Sequence, residues 1–308
     1  MTPRPAAIGL VIVNYNTSQQ VIDCLRSVRN EALAHIVVVD NASPKDDPDA
    51  IAAAFPQVTL IKHPQNVGFG EGCNIGVRWI LANSQADFVL FLNPDTVIEA
   101  NLVDRLLAPF AEPAIGITTP RITTMNEPHS LWYGGGYMSW FKGSARVPGY
   151  GQAADAPAAL LERDVQFATG CAFMMRRSVL EQCGGFDHRF FMYEEDVELS
   201  LRVLAAGYRI RYVPAAVVRH IAQGSQGKEV QSLDMFSGKN PKLAFFVYYA
   251  ARNRFITVFT HGNTRQRALF LLGFAAWFAR AGLGWIKYQR TDAFKALFKG
   301  LKDFATMP

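Results

Sequence analysis

The chain contains 308 residues, of which 50% are hydrophobic and 19% are charged. This composition is typical of a folded globular protein and excludes a disordered or fibrous chain. The length suits one large domain with an appendage, or two modest domains. The four cysteines have neither paired metal-ligand spacing nor the density of a disulfide framework, so we expect reduced thiols in the cytoplasm. Residues 1–5 lead almost directly into an apolar run, so no signal peptide is expected.

The net charge of +5 is unevenly distributed. From Lys239 onward, twelve basic residues accompany two acidic ones, whereas the preceding part holds 19 basic and 24 acidic residues. An acidic first part suits a metal-assisted site, and a basic, aromatic end suits anionic lipid or phosphate. The chain carries no recognisable nucleic-acid-binding module, so nucleic acid is not an expected partner.

In the first half of the chain, strand-like apolar runs alternate with stretches of helical periodicity. The predicted strands are residues 8–13, 35–40, 58–62 and 87–92, and the predicted helices include residues 18–29 and 71–83. Repeated βα units predict an α/β fold with a mostly parallel, right-handed sheet and helices on both faces. Sheets of this type bind their ligands at the carboxyl ends of the strands.

The alternation fails between residues 120 and 164, where glycines and large aromatic residues such as Trp132 predominate. We expect a long irregular insertion, which is either a lid or binding loop or a variable surface excursion. The elements predicted beyond it are a strand after residue 171, a helix over residues 196–206 and strands over residues 208–214 and 217–220. We place the end of the site-bearing domain at residue 238.

Residues 239–308 are predicted to form a basic helical extension. Residues 268–279 are strongly apolar, but Arg280 follows and the run is shorter than the ~20 residues that span a bilayer, so we predict no transmembrane helix. The final helix combines a basic stripe with an apolar stripe formed by Phe294, Leu297, Phe298, Leu301 and Phe304. We favour a membrane interface for this helix because the preceding helices are also basic and aromatic. The alternative is that its apolar stripe packs on the catalytic domain.

Two predicted buried strands end in polar residues. Asn14 and Asn16 follow the first strand, and Asp40 ends the second. In a doubly wound sheet these ends line a nucleotide crevice. The carboxylate of Asp40 could accept a hydrogen bond from the imide N–H of uracil or thymine, or it could cap the following turn.

A glycine-rich stretch begins at Asn66, includes Gly68 and leads into a helix that contains Asn74. Glycines permit close backbone approach, and the amides at the start of the helix could face the phosphates of a nucleotide. The stretch lacks the Gly-Lys-Ser/Thr ending of a Walker loop. Taken alone, such a turn is more often structural.

The strand over residues 88–92 ends in Asn93-Pro94-Asp95. The proline fixes the turn, and Asp95 is suited to bind a hard divalent cation while a diphosphate fills other coordination positions. The alternative is that Asp95 caps a helix over residues 96–107.

The segments at residues 13–16, 39–43, 66–70 and 93–95 read Val-Asn-Tyr-Asn, Val-Asp-Asn-Ala-Ser, Asn-Val-Gly-Phe-Gly and Asn-Pro-Asp. In this order they resemble the inverting family-two nucleotide-sugar glycosyltransferases, and most of all the rhamnosyltransferase-like branch. The resemblance covers residues 8–225 and is specific as an ordered set, although each segment alone is weak. The family implies a GT-A fold, a metal-bound nucleoside diphosphate and inversion at the anomeric carbon.

The resemblance assigns Asp40 to the base and places Asn14 and Asn16 near the nucleoside. The complete set of expected nucleotide-binding residues is Asn14, Asn16, Asp40, Asn66, Gly68, Asn74, Asn93 and Asp95. Asp95 would bind Mg²⁺ or Mn²⁺, with His220 as a second protein ligand. Asn93 stands where many relatives carry the first Asp of an Asp-X-Asp motif. Its expected role is therefore to bond the ribose or the diphosphate.

Glu194-Glu195-Asp196 resembles the family's acidic motif, and this resemblance assigns Asp196 as the general base. Direct displacement needs such a carboxylate to take the acceptor hydroxyl proton. An aspartate of ordinary pKa is already ionised at neutral pH, so no unusual pKa is required. Glu195 would hold the acceptor or share the base role. Glu194 could do no more than favour the N-terminus of the following helix.

Four further residues are candidates for contacts with the acceptor or a diphosphate. Thr169 and Gly170 match a family position near the donor and acceptor sugars. Trp132 could stack on a sugar, although core packing is the commoner use of such a residue. Arg252, in the segment Arg252-Asn253-Arg254, could with that segment neutralise a polyprenyl diphosphate or the leaving diphosphate, or the segment could be a solvated helix face.

These residues predict a metal-dependent inverting transferase that moves L-rhamnose, or another sugar, from a dTDP- or UDP-linked donor. The expected acceptor is a lipid-linked or cell-surface polysaccharide carried on polyprenyl diphosphate, used by a peripheral protein on the inner face of the cell membrane. One alternative is a sugar-nucleotide-synthesising nucleotidyltransferase on a related sheet. The other is a non-catalytic, membrane-associated glycan-binding protein.

Overall fold

A computed structural model describes residues 6–125, 129–221 and 236–307. Its strands are β1 (Ile8–Asn14), β2 (His35–Asp40), β3 (Thr59–Lys62), β4 (Phe88–Leu92), β5 (Thr96–Ile98), β6 (Ile115–Thr124), β7 (Leu131–Tyr133), β8 (Tyr137–Ser139), β9 (Ser144–Arg146), β10 (Arg163–Val165), β11 (Ala172–Arg176) and β12 (Arg209–His220). Its α-helices are α1 (Ser18–Val28), α2 (Asp49–Ala54), α3 (Phe69–Asn83), α4 (Leu102–Leu107), α5 (Arg177–Cys183), α6 (Glu195–Ala205), α7 (Leu243–His261), α8 (Thr264–Lys287) and α9 (Thr291–Ala305). The α/β class predicted from the sequence is confirmed.

The central sheet has the strand order β10-β12-β6-β11-β4-β1-β2-β3. The strands from β4 through β1 and β2 to β3 are parallel, so their carboxyl ends meet at one edge. Strand β11 runs antiparallel between β4 and β6, and β12 is parallel to β6. The parallel half therefore presents the polar ends of β1, β2 and β4 side by side.

Strands β1 and β4 are buried along their whole length. Leu10 and Ile12 pack in one apolar cluster with residues of α1, whereas Val11 and Val13 pack in another with residues of α3. Successive residues of a strand point to opposite faces, so this division shows that helices cover both sides of the sheet. Continuous apolar strands are the expected consequence.

The alternative in which Asp95 caps a helix over residues 96–107 is wrong, because the first residues of that range form a strand. Residues Thr96–Ile98 form β5, which pairs antiparallel with β12 and sets His220 opposite Thr96. The helix begins only at Leu102, after Asn101 in a left-handed conformation. Asp95 consequently does not cap a helix. The strands expected over residues 208–214 and 217–220 are one strand, β12, with an irregularity between Val213 and Val217.

The insertion between β6 and β11 contains short strands, including the hairpin β8–β9, and no α-helix among its described residues. Trp132 lies in β7, which pairs with β6. Trp132 and Tyr133 of the insertion are thus attached to the central sheet, beside the ends of β6 and β12.

The predicted apolar stripe of the final helix packs against the protein. Leu297 is 2% exposed and joins a buried cluster with Leu243 of α7 and Trp285 of α8. Only Phe298 of that stripe is strongly exposed, at 62%. The stripe therefore packs on helices α7 and α8 of the extension, which differs from the expected packing on the catalytic domain, and a membrane contact of the final helix stays a prediction.

Helix α8 is longer than the apolar run suggested. It continues past Arg280 to Lys287, giving 24 residues with a mean hydropathy of 1.5 in its most apolar stretch. By length and composition alone it could cross a bilayer, so the expectation that this segment is too short is wrong. Most of its apolar face is exposed, with Leu272 at 69%, Leu283 at 71% and Ile286 at 66%.

Candidate active site

The first part of the site lies where β1 and β2 end side by side, with Asn14 opposite Asp40. The Nδ2 of Asn14 donates to Asp40 Oδ1 at 2.9 Å, and the Ser43 hydroxyl donates to the same oxygen at 2.6 Å. The amide of Ser43 donates to Asp40 Oδ2 at 3.3 Å. Asp40 therefore caps its turn, and Asn14 and Ser43 fix its buried carboxylate at the sheet edge.

Asn16 connects the turns that follow these two strands. It has a left-handed φ of 58°, its amide donates to Ser43 Oγ at 2.8 Å, and its Oδ1 accepts from the Lys45 amide at 2.9 Å. The asparagine side chain tolerates this backbone conformation better than most residues do. Asn16 thus braces the crevice in which Asp40 lies.

Asn41 is a site residue that the sequence did not single out. It is 2% exposed; its Nδ2 donates to Asn66 Oδ1 and to the Gly68 carbonyl, and its Oδ1 accepts from the Val67 amide. These bonds join the end of β2 to the glycine-rich stretch. The available signal was its position just beyond the carboxyl end of β2, where a parallel sheet binds its ligands.

Gly68 allows the glycine-rich stretch to touch the acidic motif. Its φ is +86°, and a Cβ there would collide with the carbonyl of Phe191. The next amide, of Phe69, donates to that same carbonyl at 3.1 Å. The glycine is therefore required by close backbone approach, and a contact of Asn66 or Gly68 with nucleotide stays a prediction.

Asn74 is tied to protein partners. Its Nδ2 donates to Glu71 Oε2 and to the Phe186 carbonyl, both at 2.8 Å, and its Oδ1 accepts from the Phe186 amide at 2.8 Å. These bonds fasten α3 to the segment that leads into the acidic motif. The expected contact of Asn74 with nucleotide has no support in this geometry and stays a prediction.

Asp95 and His220 form the second part of the site. The β5–β12 pairing brings them together, and His220 Nε2 lies 3.1 Å from Asp95 Oδ1. Asp95 is 5% exposed and His220 is 6% exposed. The other ring nitrogen of His220, Nδ1, is buried without a hydrogen-bond partner among the described residues. Two residues 125 positions apart in the chain are thus one buried pair.

Asp95 and His220 are suitable ligands for a divalent cation, but two side chains alone do not complete its coordination. Carboxylate oxygen and imidazole nitrogen are both metal donors, and His220 Nδ1 is an orphaned polar atom beside them. In the described part of the chain, no group of three or more His, Cys, Asp or Glu side chains converges on one point. Oxygens of a bound diphosphate would have to complete the coordination, which is common for Mg²⁺.

Asn93 is half-buried, two residues before Asp95 in the chain. Its amide donates to the Cys171 carbonyl at 2.8 Å, and its carbonyl accepts from the Thr96 hydroxyl at 2.7 Å. Burial raises the pKa of the Cys171 thiol, and the nearby carboxylates of Asp95 and Asp196 raise it further. Cys171 therefore lies near the carboxylates of both Asp95 and Asp196, and its carbonyl binds Asn93.

Asp196 is held by backbone amides on both oxygens. The Gly170 amide donates to Oδ2 and the Val197 amide donates to Oδ1, each at 2.8 Å. Burial raises the pKa of Asp196 above its ordinary value, although these hydrogen bonds oppose the shift. The carboxylate is thus a stronger base than a solvated aspartate, which differs from the ordinary pKa assumed from sequence.

The two glutamates before Asp196 are perturbed as well. Burial raises the pKa of Glu194 to about 7, and burial together with the neighbouring Asp196 raises the pKa of Glu195. Tyr193 and Glu194 both have a left-handed φ of 69°. Two successive non-glycine residues in this region store strain that only a well-braced site retains.

A cavity of about 420 Å³ opens beside Asp196. Thr169, Asp196, Glu194 and Arg254 contribute its polar wall, and Trp132 contributes to its aromatic wall. The Trp132 ring stands edge-on to the His220 imidazole, with 4.5 Å between ring centroids. Trp132 therefore lies between the metal candidates and the cavity that contains the base candidate.

Helix α7 braces the acidic motif through Asn253, a contact that the sequence did not predict. The Nδ2 of Asn253, which is fully buried, donates to the carbonyls of Met192 at 2.8 Å and Tyr193 at 2.7 Å. Arg252 donates to the Arg189 carbonyl at 2.6 Å and to Asn253 Oδ1. Arg252 does not line the cavity, and its contact with a diphosphate stays a prediction.

A model of the family described as glycosyltransferase like family 2 matches residues 3–234. The chain belongs to this family. It is therefore an enzyme, a glycosyltransferase, as the sequence predicted. The N-acetylglucosaminyl-diphospho-decaprenol L-rhamnosyltransferase of Mycobacterium tuberculosis is 30% identical over 230 residues, covering 67% of this chain and 72% of that protein. The resemblance to the rhamnosyltransferase-like branch is confirmed.

Other proteins match this glycosyltransferase over part of their own length. The pre-mycofactocin glycosyltransferase of M. tuberculosis is 29% identical over 226 residues, which are 71% of this chain and 44% of that protein. The structure of GalNAc-T7 with UDP, GalNAc and Mn²⁺ matches with a TM-score of 0.60 at 18% identity, over 87% of this chain and 54% of that one. S. aureus TarS 1–349 with UDP-GlcNAc matches with a TM-score of 0.57 at 14% identity, over 97% and 80%. The predicted GT-A fold is confirmed.

Proposed function

We propose that this glycosyltransferase moves L-rhamnose from dTDP-rhamnose to a sugar carried on polyprenyl diphosphate, with inversion at the anomeric carbon. The name of the 30% identical relative supports both the sugar and the lipid-linked acceptor. The observation that carries the proposal is the cavity beside Asp196, because it joins a fixed carboxylate to the buried Asp95–His220 pair through Trp132.

The donor would bind across the carboxyl ends of β1, β2 and β4. Asp40, oriented by Asn14, would accept a hydrogen bond from the imide N–H of the thymine. Asn93 would form a hydrogen bond with the ribose or the diphosphate. Asp95 and His220 would hold Mg²⁺ or Mn²⁺, which neutralises charge on the leaving diphosphate when bound. The burial of both side chains favours a dry site, in which such electrostatic contacts are stronger.

The acceptor would enter the cavity from the side away from the donor at the ends of β1, β2 and β4. Its hydroxyl attacks the anomeric carbon while Asp196 takes the hydroxyl proton, and the bond to the diphosphate breaks. The amides of Gly170 and Val197 keep the carboxylate oriented during the transfer. Glu195 has a buried Oε2 without a hydrogen-bond partner among the described residues, which suits a contact with the acceptor.

A panel of dTDP- and UDP-linked sugars, assayed with a sugar diphosphate bearing a short prenyl tail, tests the reaction. We expect transfer from dTDP-rhamnose that stops when a chelator removes divalent metal and returns when Mg²⁺ or Mn²⁺ is added. Asp95→Ala should lose the metal-dependent part of donor binding. Transfer of another sugar would overturn the donor, and pyrophosphate release from a nucleoside triphosphate would indicate nucleotidyl transfer instead.

We further propose that residues 1–238 form the catalytic domain and that residues 239–308 bring it, as a peripheral protein, to the inner face of the cell membrane. The exposed apolar face of α8, with Leu272, Leu283 and Ile286, would lie in the interface, and the excess of basic residues after Lys239 would favour anionic lipid. This transfers to α8 the role that the sequence suggested for α9.

Flotation with anionic liposomes tests the membrane contact. Changing Leu272, Leu283 and Ile286 together to Ser should abolish flotation, because their apolar area would no longer be buried in lipid. Leu160 and Leu161 are 49% and 62% exposed on the insertion, so their change to Ser is the matched control and should leave flotation intact. Equal flotation of both variants would reject the α8 contact.

A further inference from the structure

Two charged groups in the cavity have no part in the transfer step described above. Arg254 and Glu194 both line the wall that also contains Asp196. The Nε of Arg254 and the Oε2 of Glu194 are buried, and neither has a hydrogen-bond partner among the described residues. Unpaired polar atoms of this kind are costly in a folded protein unless a ligand or water satisfies them.

The surroundings of Arg254 leave its positive charge only partly compensated. Its guanidinium carbon lies 5.4 Å from the centre of the Phe236 ring and 5.9 Å from that of Trp277, so aromatic faces hold it in place. Burial lowers the pKa of Arg254, and Glu194 opposes that shift. Burial also keeps part of Glu194 protonated near neutral pH, since its pKa rises to about 7. An anion bound in the cavity would neutralise the remaining positive charge of Arg254.

We propose that Arg254 binds the phosphate adjacent to the acceptor sugar, while a hydroxyl of that sugar lies at Asp196. The inference rests on the proposed function and names the part of the acceptor that the enzyme recognises. An arginine is suited to this because its planar fork of N–H donors matches phosphate oxygens. Of the segment Arg252-Asn253-Arg254, for which the sequence predicted a diphosphate contact, Arg254 is the residue that lines the cavity.

The size and lining of the cavity agree with a sugar phosphate. Its volume of about 420 Å³ falls within the range of about 300–1,000 Å³ typical of small-molecule sites. Trp132, Tyr193 and Phe246 supply aromatic surface on which a sugar ring can pack. Polar groups at Asp196 and Arg254 then fix the orientation of the acceptor, with its hydroxyl and its phosphate at different points of the wall.

Acceptor binding without donor tests this assignment on the full chain. The two probes are N-acetylglucosaminyl diphosphate with a citronellyl tail and the uncharged glycoside with the same sugar and tail. Calorimetry should show that Arg254→Gln weakens binding of the diphosphate probe about 10- to 100-fold, the effect of losing a hydrogen bond to a charged group. Binding of the uncharged glycoside and of dTDP should remain unchanged.

Arg78→Gln is the matched control, because Arg78 is an exposed arginine whose ion pair with Glu71 is 2.8 Å long. It should bind both probes as the unaltered protein does, and Arg254→Lys should recover part of the affinity. The assignment is overturned if the unaltered protein does not bind the diphosphate probe, or if Arg254→Gln weakens both probes equally. Failure of the proposed reaction would show differently, as diphosphate binding with no transfer from any nucleotide sugar.

Discussion

Asn253 connects α7 to the strained turn that precedes Asp196, and Asn253→Ala removes this connection. Three hydrogen bonds are lost from a side chain that is fully buried: those donated to the Met192 and Tyr193 carbonyls, of 2.8 and 2.7 Å, and one of 3.0 Å accepted from Arg252 Nε. At about 0.5–1.5 kcal/mol each, the loss should lower the free energy of unfolding by about 1.5–4.5 kcal/mol. Because the turn sets the position of Asp196, kcat should fall as well, by about 100-fold for a displacement of about 1 Å.

Urea denaturation and single-turnover transfer measure the two effects separately. Asn83→Ala is the control, since exposed Asn83 makes one hydrogen bond of this kind, to the Trp79 carbonyl at 2.9 Å in α3. Its cost should stay below about 0.5 kcal/mol, with unchanged transfer. Donor affinity should be preserved in Asn253→Ala, because the strand ends that we propose as the nucleotide site are not altered. Equal destabilisation by the two substitutions would refute the bracing role of Asn253.

Gly68→Ala should be more destabilising than Gly207→Ala, because both glycines have positive φ but only at Gly68 does a Cβ meet backbone, the Phe191 carbonyl. Thermal denaturation measures the difference, and equal shifts in Tm would argue against that close approach. Glu194→Gln should stabilise the fold at pH 8 but not at pH 4. The pKa of Glu194 rises from 4.5 to about 7 on folding, so ionisation costs stability as pH increases through that window. A stability difference independent of pH would contradict the buried, partly protonated carboxyl.

Much of the donor side could be predicted from sequence because it depends on local patterns. Continuous apolar runs identified β1, β2 and β4, and the topology of parallel strands then required Asn14, Asp40 and Asp95 to lie at one edge. The order of these segments identified the family. Strand ends and family motifs are both contained in short stretches of chain.

The remaining features depend on contacts between distant segments. The β-branched run Thr96-Val97-Ile98 favours a strand, but pairing with β12 was needed to place Asp95 against His220. Asn253 lies about 60 positions after the carbonyls that it binds, so no periodicity identifies it. Whether the apolar stripes of α8 and α9 face solvent or protein depends on packing with α7, which amphipathic spacing alone does not reveal.

The central claim is that Asp196 takes the proton of the acceptor hydroxyl at a nucleotide-sugar site. Asp196→Asn keeps the size of the side chain and removes the base, so it tests this claim most directly. We expect donor binding, measured by calorimetry with dTDP-rhamnose and Mg²⁺, to remain within about twofold of the unaltered protein, and transfer to fall by at least about 100-fold. Transfer by Asp196→Asn at the rate of the unaltered enzyme would contradict the mechanism.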